Sequence, residues 1–144
     1  MAFTLHPRLE NDTTKLGELP LCTVLLAKDN CVPWIILVPK VDGLRELHHL
    51  PMDKQQQFLF ESQLISQTLE ALFKPDKINL GALGNMVSQL HIHHIARFIS
   101  DAAWPGPVWG NTAGVTRSQD EQQALADKIR KELSRDPSFQ LPQN

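Results

Sequence analysis

Two periods of apolar and polar residues run through this chain. One is the short, alternating or continuous pattern of strands, and the other is the 3.6-residue stripe of helices. The run Cys22–Ala27 is apolar and rich in β-formers, and the Lys28-Asp29-Asn30 behind it is a turn signal. Residues 34–38, Trp-Ile-Ile-Leu-Val between Pro33 and Pro39, predict a second strand, so the two make a hairpin with a longer loop. Residues 52–74 predict a long helix. Phe58, Ile65, Leu69 and Leu72 fall on one stripe, Glu and Gln surround them, and Pro75 stops the run. A strand running into a Gly-containing turn follows over 77–85, and another strand over 87–98. The polar, mixed stretch 6–20 predicts only a short helix or loop over the surface. Residues 101–111 hold two prolines and two glycines, which forbid regular structure, yet Trp104 and Trp109 there must be covered, by default against the body. Ser118-Gln119-Asp120-Glu121 fits a capping box and starts a last helix with Leu125, Ile129 and Leu133 on one side. The tail after Asp136 is expected to fray. Hairpin-like strands around one long helix predict an α+β fold, an antiparallel sheet with the helix packed on it.

Length adds that 144 residues suit one domain, with its core at about 3–105 and a C-terminal loop and helix at 106–136. The formal net charge of −2 argues against a reader of nucleic-acid backbone, which carries a basic stripe. It leaves room for a small anionic substrate in a locally positive pocket. No apolar run of membrane-spanning length occurs, and the first residues lack the pattern of a secretory signal. Cys22 and Cys31 are too far apart for a redox pair, and read as free thiols of a reducing cytoplasm.

The candidate chemistry lies in Gln89-Leu90-His91-Ile92-His93-His94-Ile95. Six histidines occur in the chain, and three of them sit between positions 91 and 94. On a strand, Gln89, His91 and His93 share one face, while Leu90, Ile92 and His94 share the other. Such a face suits a metal site, covalent catalysis by a neutral imidazole, or a purely structural cluster. A metal wants further ligands, and His48-His49 and the carboxylates supply them only through tertiary contacts. Arg97, just beyond, reads as a solvated strand end, and Trp34 as a core residue.

These residues resemble the His-φ-His-φ-His-φ-φ strand of the histidine-triad (HIT) family, φ being apolar, with Gln89 at the first triad position. Asn79 and the Gly84-Asn85-Met86-Val87 turn occupy places similar to the family's Asn and Gly-containing turn, and the hairpin followed by the long helix resembles the family's order. The resemblance implies a hydrolase or nucleotidyl transferase acting at a nucleotide α-phosphate, with no cofactor and no metal. His91 is then the nucleophile, and His93 contacts phosphate oxygens or the leaving group. Gln89 completes the catalytic set without being able to carry a proton, and Asn79 and Asn85 are the substrate contacts. The expected partners are a nucleotide and a second copy of the chain in a homodimer, with no nucleic acid and no membrane. The alternatives are a nucleotide-binding module with little catalysis, or a metal-binding protein using the His-x-His pair.

Overall fold

Residues 2–143 are described by the computed structural model. Helix α1 (Pro7–Asp12) leads into β1 (Thr13–Glu18), β2 (Cys22–Ala27) and β3 (Trp34–Pro39). After a short 3-10 turn at Leu47–His49 come α2 (Met52–Phe73), β4 (Lys77–Gly81), β5 (Ile92–Arg97) and α3 (Gln119–Leu133). The strands form one five-stranded sheet in the order β1-β2-β3-β5-β4. Every neighbouring pair is antiparallel. The α+β architecture is the one the hydrophobic pattern predicts.

Strands β2 and β3 are covered on both faces, which is why they read as continuous apolar runs rather than alternating ones. On one face, α2 and α3 bring Phe58, Ile65, Leu69, Ile129 and Leu133 against Val24, Leu26, Ile35, Leu37 and Ile92. Buried Glu61 of α2 accepts from the main-chain N–H of Leu21 and of Cys22, both at 2.8 Å, and fastens the helix to the start of β2. Helix α2 ends at Lys74, in the left-handed region at φ 47°, because Pro75 cannot continue it. Helix α3 starts with the expected capping box, Ser118 and Glu121 bonding each other's main-chain N–H at 3.2 Å.

The opposite face carries a smaller apolar layer, in which Phe3, Leu5, Leu9 and Val87 pack on Leu25, Ile36 and Val38. Beside it, Val32, Ile95 and Val108 pack with Trp34 and Trp109. This second face holds the candidate site.

Three local expectations are corrected. Residues 6–20 contain a strand, β1, as well as a helix. The expected strand over 87–98 is ordered as a ladder only from Ile92 to Arg97, since the Leu90 N–H donates to the Leu44 carbonyl at 2.9 Å. The strand over 77–85 does run into its Gly-containing turn: β4 ends at Gly81, and Gly84 behind it sits at φ 70°. The tail is docked rather than frayed: Phe139 is buried in the main core, and Glu18 and Gln140 exchange main-chain hydrogen bonds at 2.8 and 2.9 Å. Gly17 makes that docking possible, because a Cβ there would run into the Gln140 carbonyl and the Phe139 ring. No helix among the described residues is long and apolar enough to cross a membrane.

Candidate functional site

The site forms where the chain enters β5. His91 precedes the strand and His93 lies in it, opposite Ile36 of β3 and Gly81 of β4. Both rings line a cavity of about 1060 Å³. Its walls come from α1 and its end, from the hairpin residues Lys28, Asp29 and Trp34, from the 83–87 turn, and from Trp109. The ring centroids of His91 and His93 are 5.0 Å apart in an edge-on arrangement.

Hydrogen bonds assign the two rings opposite tautomers. The Nδ1 of His91 lies 2.7 Å from the main-chain oxygen of Gln89. A carbonyl oxygen only accepts, so Nδ1 carries a hydrogen, and in the neutral ring Nε2 keeps its lone pair. At His93 the polarity is reversed. The Trp34 indole N–H, which can only donate, points to His93 Nδ1 at 2.9 Å. The hydrogen of the neutral His93 ring therefore sits on Nε2. Burial, and then the neighbouring His91 and His94 rings, push the His93 pKa down to about 3, so the ring is neutral at physiological pH. Trp34 and Trp109 both lie against it, with centroids at 5.6 and 5.3 Å.

His94 turns to the other face, as alternation along the strand requires. It is fully buried beneath α2. Its Nδ1–H donates to the Ile92 carbonyl at 3.1 Å, and the Ser62 hydroxyl donates to its Nε2 at 2.7 Å. Burial pushes its pKa down to about 4. An unfolded histidine titrates near pH 6.5, so as pH falls the unfolded chain takes up these protons first. Stability is thus full above about pH 6.5, and His94 alone removes about 3 kcal/mol of it by pH 4. Denaturant midpoints are expected to drop steadily between pH 7 and pH 4.5. A flat profile over that range would show that neither ring is buried neutral.

The remaining site residues are placed unevenly. Asn85 lines the cavity. Asn79 of β4 does not, since its Oδ1 accepts from Arg97 Nη1 at 2.8 Å. The Gln89 side chain is turned away from the cavity wall: its Oε1 accepts from the His6 N–H at 2.8 Å, and its Nε2 donates to the Thr4 carbonyl at 2.9 Å. Arg97 is not a solvated strand end but is buried, with a two-point ion pair to Asp101 at 2.9 and 3.0 Å. Among the described residues, no group of three or more His, Cys, Asp or Glu is placed to hold a metal ion. Cys22 and Cys31 are free thiols, as expected.

Sequence reasoning missed the Trp34–His93 bond and the wall residues Arg8 and Asp12, and gave Lys28 and Asp29 beside the hairpin little weight. For Trp109 it takes packing on the body as the default, with lining a ligand site or a dimer partner as the lesser reading. A signal for Trp109 was available at Gly81, where a Cβ would come within 2.6 Å of its ring, but it is visible only once β4 and the loop are brought together.

Comparison with known proteins fits this geometry. Residues 8–99 match the model of the HIT domain. Among solved structures, a histidine triad protein from Marinobacter aquaeolei VT8 is 50% identical, with a TM-score of 0.90 over 94% of this chain and 98% of that one. A histidine triad protein from Bradyrhizobium japonicum is 41% identical, with a TM-score of 0.89 over 92% of this chain and 99% of that one. A third, from Sinorhizobium meliloti 1021, is also 41% identical, with a TM-score of 0.87 over 90% of this chain and 96% of that one. No curated protein matches the chain. A domain model that spans most of the sequence, and relatives of this identity over nearly their whole length, make this chain a member of the HIT (histidine triad) family.

Proposed function

We propose that the protein cleaves a phosphoanhydride or phosphoramidate bond at a nucleotide α-phosphate through a nucleotidyl intermediate on His91. The observation that carries this reading is the pair of opposed tautomers on one cavity wall: a lone pair on His91 Nε2 beside an N–H on His93 Nε2. One ring is set to attack an electrophile, and its neighbour to donate to an oxygen of that electrophile. At about 1060 Å³ the cavity is large enough for a nucleotide with a sizeable leaving group. Arg8 and Lys28 in its lining bring cations that can turn to a phosphate, beside the carboxylates of Asp12 and Asp29, and Trp34, Ile36 and Val87 offer an apolar surface.

His91 Nε2 attacks the α-phosphorus, the P–N bond forms, and the bond to the leaving group breaks with its electron pair. The His91 ring, still carrying its Nδ1–H, becomes cationic, and the Gln89 carbonyl stabilises that charge. Water then attacks the phosphorus, a nucleoside monophosphate leaves, one proton is released, and the ring returns to neutral. His93 stabilises the negative oxygens by donating a hydrogen bond. It does not give up its proton, because a neutral imidazole that lost it would be an anion. A departing phosphate needs no proton, whereas a departing amine does. An anhydride is therefore the better of the two bond types for this pair of neutral rings.

The test is to trap the intermediate. The protein is mixed with a dinucleoside polyphosphate, quenched above neutral pH and digested for mass spectrometry. The expected result is one nucleoside monophosphate added to the peptide that contains His91. Turnover without any such adduct, with solvent oxygen entering in a single displacement, would overturn the covalent route.

A further inference from the structure

We propose that Gln89 is a positioning residue that pins the N-terminal segment as one wall of the nucleotide cavity, a proposal that rests on the nucleotide-binding reading above. The primary amide of Gln89 imitates a main-chain peptide group. Its oxygen accepts from the His6 N–H at 2.8 Å and its nitrogen donates to the Thr4 carbonyl at 2.9 Å, so the side chain pairs with residues 4–6 as a neighbouring strand would. The two positions are more than eighty residues apart in sequence.

Residues 4–6 lead straight into α1, whose N-cap is His6. From α1 come the cavity-lining Arg8, Leu9 and Asp12. A helix of six residues does not hold its place through its own hydrogen bonds. What fixes this one is its buried Leu9, the apolar contacts of Phe3 and Leu5, and the Gln89 cross-link. The same residue, through its main-chain oxygen, orients His91. Gln89 therefore joins the wall that faces the substrate to the ring that attacks it. Histidine at this position has two ring nitrogens but no carbonyl-like oxygen beside an NH₂. Its one donor and one acceptor lie on a rigid ring and diverge differently from the amide's NH₂ and oxygen.

The two functions of Gln89 separate experimentally, because a side-chain substitution leaves its main-chain oxygen in place. In Gln89→Ala, amide hydrogen exchange at His6 in the unliganded protein is expected to speed up roughly tenfold or more. Affinity for AMP and KM for a dinucleoside polyphosphate are expected to weaken by about the same factor, with kcat within a few-fold of the parent. Gln89→Glu, which can still accept from His6 N–H but cannot donate to Thr4 O, is expected to keep most of the His6 protection and to fall between the two in KM. A proton-handling role would give the opposite split: a fall in kcat with a displaced pH profile and unchanged AMP affinity. That result would overturn the proposal, as would unchanged exchange at His6 in Gln89→Ala, or faster exchange with unaltered AMP affinity. If the parent protein bound no nucleotide, the functional reading would fail, and the exchange measurement would still decide whether the clamp exists. Should Gln89→Ala not fold, the Glu variant carries the same comparison.

Discussion

Replacement of His91 by alanine is expected to lower turnover of a dinucleoside polyphosphate by at least about 10³-fold while AMP affinity stays within a few-fold. The size of the effect follows from the role. A nucleophile that forms a covalent intermediate has no substitute among its neighbours. His93 holds its own Nδ1 against the Trp34 indole and carries a hydrogen on Nε2, so it has no free lone pair to attack with. The fold is expected to survive, because His91 stands before the β5 ladder and its ring makes one hydrogen bond, to the adjacent Gln89 carbonyl. Steady-state rates paired with calorimetric titration of AMP separate the two quantities. A variant that kept more than a tenth of the parent rate would remove His91 from the chemistry.

Arg97→Met is expected to cost about 3–5 kcal/mol of folding stability, the cost of leaving one member of a buried ion pair without its partner. Both side chains of the pair are nearly inaccessible, at 2% and 3% exposure. The guanidinium also donates to Asn79 Oδ1 and to the Gly106 carbonyl, both at 2.8 Å, and lies 5.7 Å from the centre of the Trp104 ring. One cation thus fastens the end of β5 to β4 and to the loop that ends in Trp109. Asp101, held down to about pKa 2 chiefly by its bond to Arg97, would lose that hold in the variant and keep only the main-chain N–H groups of Phe98, Ala103 and Trp104. Denaturant unfolding of parent and variant gives the difference directly. A loss below about 1 kcal/mol would mean that the pair is worth no more than a surface one.

Long apolar elements were legible in the sequence because burial dictates their composition. The β2 and β3 runs, the α2 stripe and the α3 capping box all stand where the pattern places them. Strand β1 was not, since its pairing tolerates polar residues: Thr13-Thr14-Lys15 carries no apolar alternation, and the register shifts between Lys15 and Gly17. The docking of Phe139 depends on space above Gly17, which is set by residues more than a hundred positions apart. The His91/His93 face was legible because residues two apart on a strand share a side whatever surrounds them. The side chain of Gln89 was not, because it points along a partner segment, Thr4 to His6, that gave no sign of coming near. Arg97 misled for the same reason. A strand-end arginine is ordinarily wet, and only the folded 101–106 loop supplies the carboxylate and carbonyl that let it be dry.

The covering of β1 has a wider consequence. Gln140 occupies hydrogen-bonding positions along its outer border, and Arg130 of α3 takes the carbonyls of Lys15 and Leu16 at 2.7 and 3.0 Å. Groups at Lys15, Leu16 and Glu18 of that border are therefore already taken, while at the opposite border Leu80 of β4 stands half in solvent. The two margins of the sheet are thus unlike: one is occupied by the chain's own C-terminal segment, and the other is not.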